Sequence, residues 1–447
     1  MIKNITEFFR VIGELRFIIP LLKYKWPEPD DSASLAHTFQ ESVEKYGEQN
    51  FIYFEEQTWT YSEINKAANI LSNKLVNDGI VHGDRVVVFM ENRPEYVITL
   101  LALNKIGAIG VLINTSLTGA PLIHCINSSD SKKCIVGAEL MSSLEEVLDD
   151  INVKDSSNLY WVKDGDNYEC PHWASDLDKL IDKTKTETPQ AIKDVTAKDT
   201  AFYIFTSGTT GVPKAALFPN TKIVAASTNI TRAGYRMNNQ DCLYNCLPLY
   251  HSTGLMLGLC ACIHVGASTF IRRKFSASTF WKEAQKFNTT AFVYVGELCR
   301  YLSFQDTCDE EINNPISKMV GNGLRPDLWD CFRNRFKVDR ICEIYGASEG
   351  NGMFMNLLNK DQTIGMTNIE LALLEYDVAE DKLKTDGSGK YIEAQEHEPG
   401  LALVKIGPNA VYNGYTDKKA SEEKVIKNVF EEGDRWFNTG DLIKTMD

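Results

Sequence analysis

Residues 203–216 read YIFTSGTTGVPKAA. Residues 201–205 are apolar and predict a core strand, which empties directly into six consecutive Gly, Ser and Thr residues, Thr206, Ser207, Gly208, Thr209, Thr210 and Gly211. Such a loop lets backbone N–H groups and side-chain hydroxyls approach phosphate oxygens closely, and Lys214 adds a point charge. A P-loop of the form GxxxxGKS or GxxxxGKT does not fit. Val212 and Pro213 separate Gly211 from Lys214, and Ala215 stands where that loop carries its metal-binding hydroxyl. A solvated turn does not predict this run behind a buried strand.

Outward from this loop the chain alternates strand and helix. Residues 85–90, 109–113 and 134–137 predict buried strands and 95–105 a helix. A second series places strands near Leu243, Thr269, Ala291, Lys318 and Ile341, with helices over 278–287 and 327–336. Strands alternating with helices of this length imply parallel sheets covered on both faces. After residue 368 the pattern changes to strands over 369–376, 391–394 and 401–406 separated by polar turns. The fold class is therefore α/β, with two doubly wound, mainly parallel lobes and a small β-rich, barrel-like subdomain. The expected division is an amphipathic segment 1–30, lobes 31–240 and 241–367, and the β-rich unit 368–447. Residues 149–200 are polar and read as surface connections.

With 447 residues, the chain exceeds what one hydrophobic core supports. A net charge of -14 argues against a nucleic-acid partner, because phosphate neutralisation needs a basic face. It leaves room for one triphosphate held locally by a Lys and a metal ion. Eleven scattered cysteines suit reduced, buried thiols and a cytoplasmic location, and the Cys242/Cys246 and Cys260/Cys262 spacings are not those of a zinc knuckle. Apolar residues recur over 5–22 at three- and four-residue spacing among an excess of basic residues. That pattern suits either a helix docked on its own domain or one lying on a membrane surface through residues 1–26. The uncharged run 252–271 contains three glycines and reads as a buried helix leading into a strand.

The loop resembles the phosphate-loop signature of the adenylate-forming (AMP-binding) superfamily. YGASEG (345–350) and WFNTGDL (436–442) follow in that family's order. PLYHSTG (248–254), YVGELCRYL (294–302) and GNGLRPDLW (321–329) are similar to the fatty acid transport protein, or very-long-chain acyl-CoA synthetase, branch. The resemblance implies ATP, Mg²⁺ and CoA as cofactors and a fatty acid as substrate. It implies that Thr206, Ser207, Gly208, Thr209, Thr210, Gly211 and Lys214 hold the β- and γ-phosphates. Gly321, Asn322 and Gly323 would form the adenine-side wall, Tyr345 would stack on the base, and Gly346 and Ala347 would follow it. Ser348 stands where the family usually has Thr and would contact the α-phosphate. Glu349 would bind Mg²⁺, and Asp441 would accept hydrogen bonds from both ribose hydroxyls. Thr206, Lys214, His251, Ser348 and Glu349 are the catalytic candidates, with His251 near the acyl carboxylate. No general base is needed, since a carboxylate is already ionised at neutral pH.

The resemblance also implies a mobile C-terminal domain with a hinge and a Lys that touches the reacting groups. The sequence stops at Asp447, before these and before the Arg the family places just beyond Asp441. The 447-residue chain is accordingly expected to bind ATP and acyl-AMP, to adenylate slowly, and to be nearly inert in thioester formation. Two readings stay beside the long-chain acyl-CoA synthetase. One is a ligase for another bulky acid (bile acid, carnitine-like or aryl), and the other is a membrane-associated fatty-acid uptake protein.

Overall fold

The computed structural model describes residues 2–207, 212–347, 349–350, 352–407 and 410–446. Two large sheets dominate it. The first has seven strands in the order Ser175–Asp176, Leu159–Val162, Lys133–Gly137, Arg85–Phe89, Ile109–Leu112, Thr200–Ser207 and Pro213–Pro219. Every neighbouring pair is parallel except the last, which is antiparallel. Alternation along Arg85–Phe89 shows why the sheet is covered twice. Val86 and Val88 enter the large core shared with the second lobe, while Val87 and Phe89 pack with Leu122, Cys125 and Ile126 on the other face.

The second sheet has eight strands and a parallel centre. Its order is Met353–Met355, Arg340–Gly346, Lys318–Asn322, Ala291–Val295, Cys242–Asn245, Ser268–Ile271, Asn50–Phe54 and Gln57–Thr60. Two expectations are corrected here. The strands of 50–60 fall in the expected first lobe by sequence yet join this second sheet, with Ile52 opposite Thr269. Within the supposedly polar connection 149–200, Leu159–Val162 is a fully buried strand. The run 252–271 folds as read, a buried helical stretch from Thr253 to Ile263 followed by the strand Ser268–Ile271.

The β-rich unit is an open four-stranded antiparallel sheet, ordered Leu371–Leu374, Gly400–Lys405, Arg435–Ile443 and Val425–Lys427, with edge strands that do not meet. It is not a closed barrel, and the expected strand 391–394 makes only isolated bridges, Leu374 with Glu393 and Thr385 with Tyr391. The helix Ile2–Leu22 docks on the second lobe through one face. Its buried Glu14 carboxylate pairs with Arg236 and, at 2.9 Å, with Arg340, and the Phe17 ring lies 3.7 Å beneath the Arg236 guanidinium. Ile12, Leu15 and Ile19 face outward instead. Among the described residues, no helix is long and apolar enough to cross a membrane.

Candidate active site

The strand Thr200–Ser207 turns antiparallel into Pro213–Pro219, which sets Thr206 opposite Lys214 and Ser207 opposite Pro213. Among the described residues the Thr206 hydroxyl is buried without a hydrogen-bond partner at normal distance, and the Tyr415 phenol lies beside it. Leaving a buried hydroxyl unmade costs about 1–3 kcal/mol, so this oxygen is set to meet an incoming ligand. Gly208, Thr209, Thr210, Gly211 and Ser348 lie outside the described residues.

Residues 414–416 zip onto the outer edge of this hairpin. Leu217 N–H donates to Gly414 O at 3.3 Å and Thr416 N–H to Ala215 O at 2.9 Å. This carries Tyr415 to the loop, where its ring centroid lies 6.0 Å from Lys214 Nζ. Glu349 meets it from the second lobe. Burial and the Glu349 carboxylate together push the Tyr415 phenol up, and the same two causes raise Tyr412 to about 12. Lys222 sits on the same side, its Nζ 3.3 Å from Gly350 O and 4.5 Å above the Phe218 ring. Burial lowers its ammonium to about 8, and Glu349 opposes that shift.

Tyr345 closes the strand Arg340–Gly346, and its hydroxyl donates to Asp441 Oδ2 at 2.5 Å, joining the second lobe to the β-rich sheet. Burial, then this hydrogen bond, raise the Tyr345 phenol. Asp441 reaches that position because the pairing of Gly400–Lys405 with Arg435–Ile443 shifts register, with Gly440 at φ +78.

Gly321 and Gly323 have steric reasons for being glycine. A Cβ on Gly321 would meet Tyr294 O at 2.1 Å, and Gly323 has φ +80. Beneath them lies Glu343, buried, which accepts hydrogen bonds from Gly323 N–H and from Leu324 N–H at 3.0 Å and pairs with the Tyr294 hydroxyl. Burial raises its carboxyl to about 7 against these hydrogen bonds.

A 460 Å³ cavity runs from this region inward. Asn322, Gly346, Ala347 and Gly350 line one part, and Met256, Leu257, Ile344 and Met353 give it apolar walls. His251 stands at its rim with some solvent-facing surface. Its Nδ1 accepts from Thr253 N–H at 3.3 Å, which leaves Nε2 as the protonated nitrogen of the neutral ring, and desolvation lowers its pKa.

Residues 39–415 match the family of AMP-binding enzymes. The chain belongs to that family. This AMP-binding enzyme is 37% identical over 415 residues to the medium/long-chain-fatty-acid–CoA ligase FadD6 of Mycobacterium tuberculosis, covering 93% of this chain and 67% of the relative. It is 33% identical to the long-chain fatty acid transport protein 6 of Mus musculus, covering 98% and 71%. Among solved structures, the anthranilate CoA ligase AuaEII in complex with anthranoyl-AMP shares its fold with a TM-score of 0.78 at 17% identity, covering 95% of this chain and 77% of that one. A long-chain-fatty-acid–CoA ligase of Archaeoglobus fulgidus does so at 0.74 and 22% identity, covering 94% and 84%.

The structure of the AMP-binding enzyme thus gathers Thr206, Lys214, Tyr345, Glu349 and Asp441 around one region, with Asn322 and His251 lining the adjoining cavity and Gly321 and Gly323 flanking Asn322. Lys222, Glu343 and Tyr415 belong to this region and went unnoticed in the sequence. Each lies in an unremarkable segment, and the topology alone brings them in.

Proposed function

We propose that the protein activates long-chain fatty acids, first as acyl-AMP with release of pyrophosphate and then as acyl-CoA. The observation that carries this reading is the continuity of a single cavity. Asn322, Gly346, Ala347 and Gly350, next to the proposed nucleotide site, line it together with the apolar Met256, Leu257, Ile344 and Met353. A ligand that fills this cavity and reaches the proposed nucleotide site joins an apolar body to a nucleotide, which is the description of an acyl-adenylate.

On this reading Thr206 and Lys214 hold the β- and γ-phosphates, with Ser207, Gly208, Thr209, Thr210 and Gly211 supplying further donors. Asn322 and its flanking glycines wall the adenine, Tyr345 packs against the base, and Asp441 takes the ribose. The fatty carboxylate attacks the α-phosphorus, and the bond to the bridging oxygen of pyrophosphate breaks. Positioning and electrostatic stabilisation supply the acceleration, with Ser348 at the α-phosphate and His251 beside the acyl carboxylate. Among the described residues no cluster of three His, Cys, Asp or Glu could cage a metal. A single carboxylate, Glu349, near the Thr206 hydroxyl fits Mg²⁺, which is held mostly by phosphate oxygens and water. Bound there, Mg²⁺ would offset charge on the leaving pyrophosphate.

The outward apolar face of the N-terminal helix, Ile12, Leu15 and Ile19 beside exposed Arg16 and Lys23, supports a peripheral seat on the cytoplasmic face of a membrane. Acid-dependent exchange of pyrophosphate into ATP, run with a panel of fatty, aryl and bile acids, tests the main reading. Exchange driven by C12–C18 acids supports it, and exchange driven only by an aryl or bile acid assigns the cavity to that acid instead.

A further inference from the structure

The proposed reaction needs the fatty carboxylate held where the apolar cavity meets the phosphates, and the helix Asn220–Asn229 supplies a cation there. Lys222, Ala225, Ala226 and Asn229 all line the cavity, and their spacing of three, four and seven places them on one helix face. The two alanines leave room along that face for an extended chain. Lys222, at the N-terminal end of the stripe, is the single Lys, Arg, Asp or Glu among the described residues lining the cavity. Its ammonium is anchored by Gly350 O at 3.3 Å, by the Phe218 ring at 4.5 Å and by the nearby Glu349, so it sits beside the 345–350 segment, where the nucleotide is read to bind. No acidic side chain among those lining residues opposes an incoming carboxylate.

We propose that Lys222 is the residue that recognises and orients the fatty acid carboxylate, giving the cavity its preference for acids over neutral lipids of the same length. The inference rests on the fatty-acid reading above. A charge-assisted hydrogen bond in a desolvated site is strong enough that its loss weakens acid binding about 10- to 100-fold. Lys214, by contrast, stands at the phosphate hairpin with its Nζ over Tyr415 and is not among the cavity-lining residues.

The test is calorimetric titration of the protein with dodecanoate, 1-dodecanol and AMP, for wild type, Lys222→Met and Lys222→Arg. The expected result is 10- to 100-fold weaker dodecanoate binding by Lys222→Met, with dodecanol and AMP affinities within twofold of wild type. Lys222→Arg should recover most of the loss. Equal weakening of acid and alcohol would make Lys222 a packing residue and overturn the proposal. Loss of AMP affinity with acid affinity intact would overturn it too, by assigning the lysine to the nucleotide. Wild-type protein that binds AMP but no dodecanoate would remove the fatty-acid reading itself, a failure visible before any variant is measured.

Discussion

Glu343→Gln isolates the buried carboxyl beneath the proposed adenine wall. Burial raises the folded-state pKa of Glu343 from 4.5 to about 7, so the folded protein keeps a proton that the unfolded chain releases. The groups facing it are the Tyr294 phenol and the thiols of Cys299 and Cys342, themselves pushed up by burial and neutral across the range of interest. At 1.36 kcal/mol per unit, the shift corresponds to about 3 kcal/mol of stability. For a raised carboxyl the sign is fixed. The contribution is fully present below pH 4.5 and is lost as pH rises through 7. A glutamine keeps the shape, still accepts from Gly323 and Leu324, and does not titrate. Urea unfolding of both proteins at pH 5, 6, 7 and 8 should therefore show wild type losing about 3 kcal/mol relative to the variant across that window. Parallel stability–pH profiles, or a wild type that gains on the variant as pH rises, would refute the reasoning.

Removing one acceptor at the proposed ribose site, Asp441→Ala, should weaken AMP binding about 10- to 100-fold by fluorescence or calorimetric titration, with Lys214 and its hairpin untouched. Glu14→Ala leaves the buried Arg340 and the half-buried Arg236 without their carboxylate and should cost about 3–5 kcal/mol in denaturant unfolding, whereas truncating the exposed Leu15 on the same helix should cost little. Replacing Ile12, Leu15 and Ile19 together by Ser should abolish co-sedimentation with anionic vesicles while leaving AMP affinity unchanged; retention of vesicle binding would remove the membrane seat assigned to that face.

The core strands were legible because parallel strands buried on both faces read as short continuous apolar runs, as at Val86–Val87–Val88 and Ala291–Phe292–Val293. Their neighbours were not. Phe51, Ile52 and Phe54 are buried, but nothing in their local pattern says that they lie beside a strand more than two hundred residues later, with Ile52 against Thr269. The same limit hid Leu159–Val162, whose four buried residues sit inside a polar stretch too short to shift its average. Along the site, Thr206, Lys214, Glu349 and Asp441 were named from motifs whose residue types match phosphate, metal and ribose chemistry. Lys222 and Tyr415 carry no such motif. Lys222 gains meaning only from the helix face it shares with Ala225 and Ala226, and Tyr415 only from a strand-edge contact across the hairpin.

A crystal structure of this chain with a non-hydrolysable dodecanoyl-AMP analogue bound tests the central claim most directly. The account predicts ribose hydroxyls within hydrogen-bond distance of Asp441, adenine between Tyr345 and Gly321–Gly323, and the alkyl chain between Ala225, Ala226 and Met256. An analogue seated away from the Thr206–Lys214 hairpin, or with its alkyl chain outside that cavity, would contradict it.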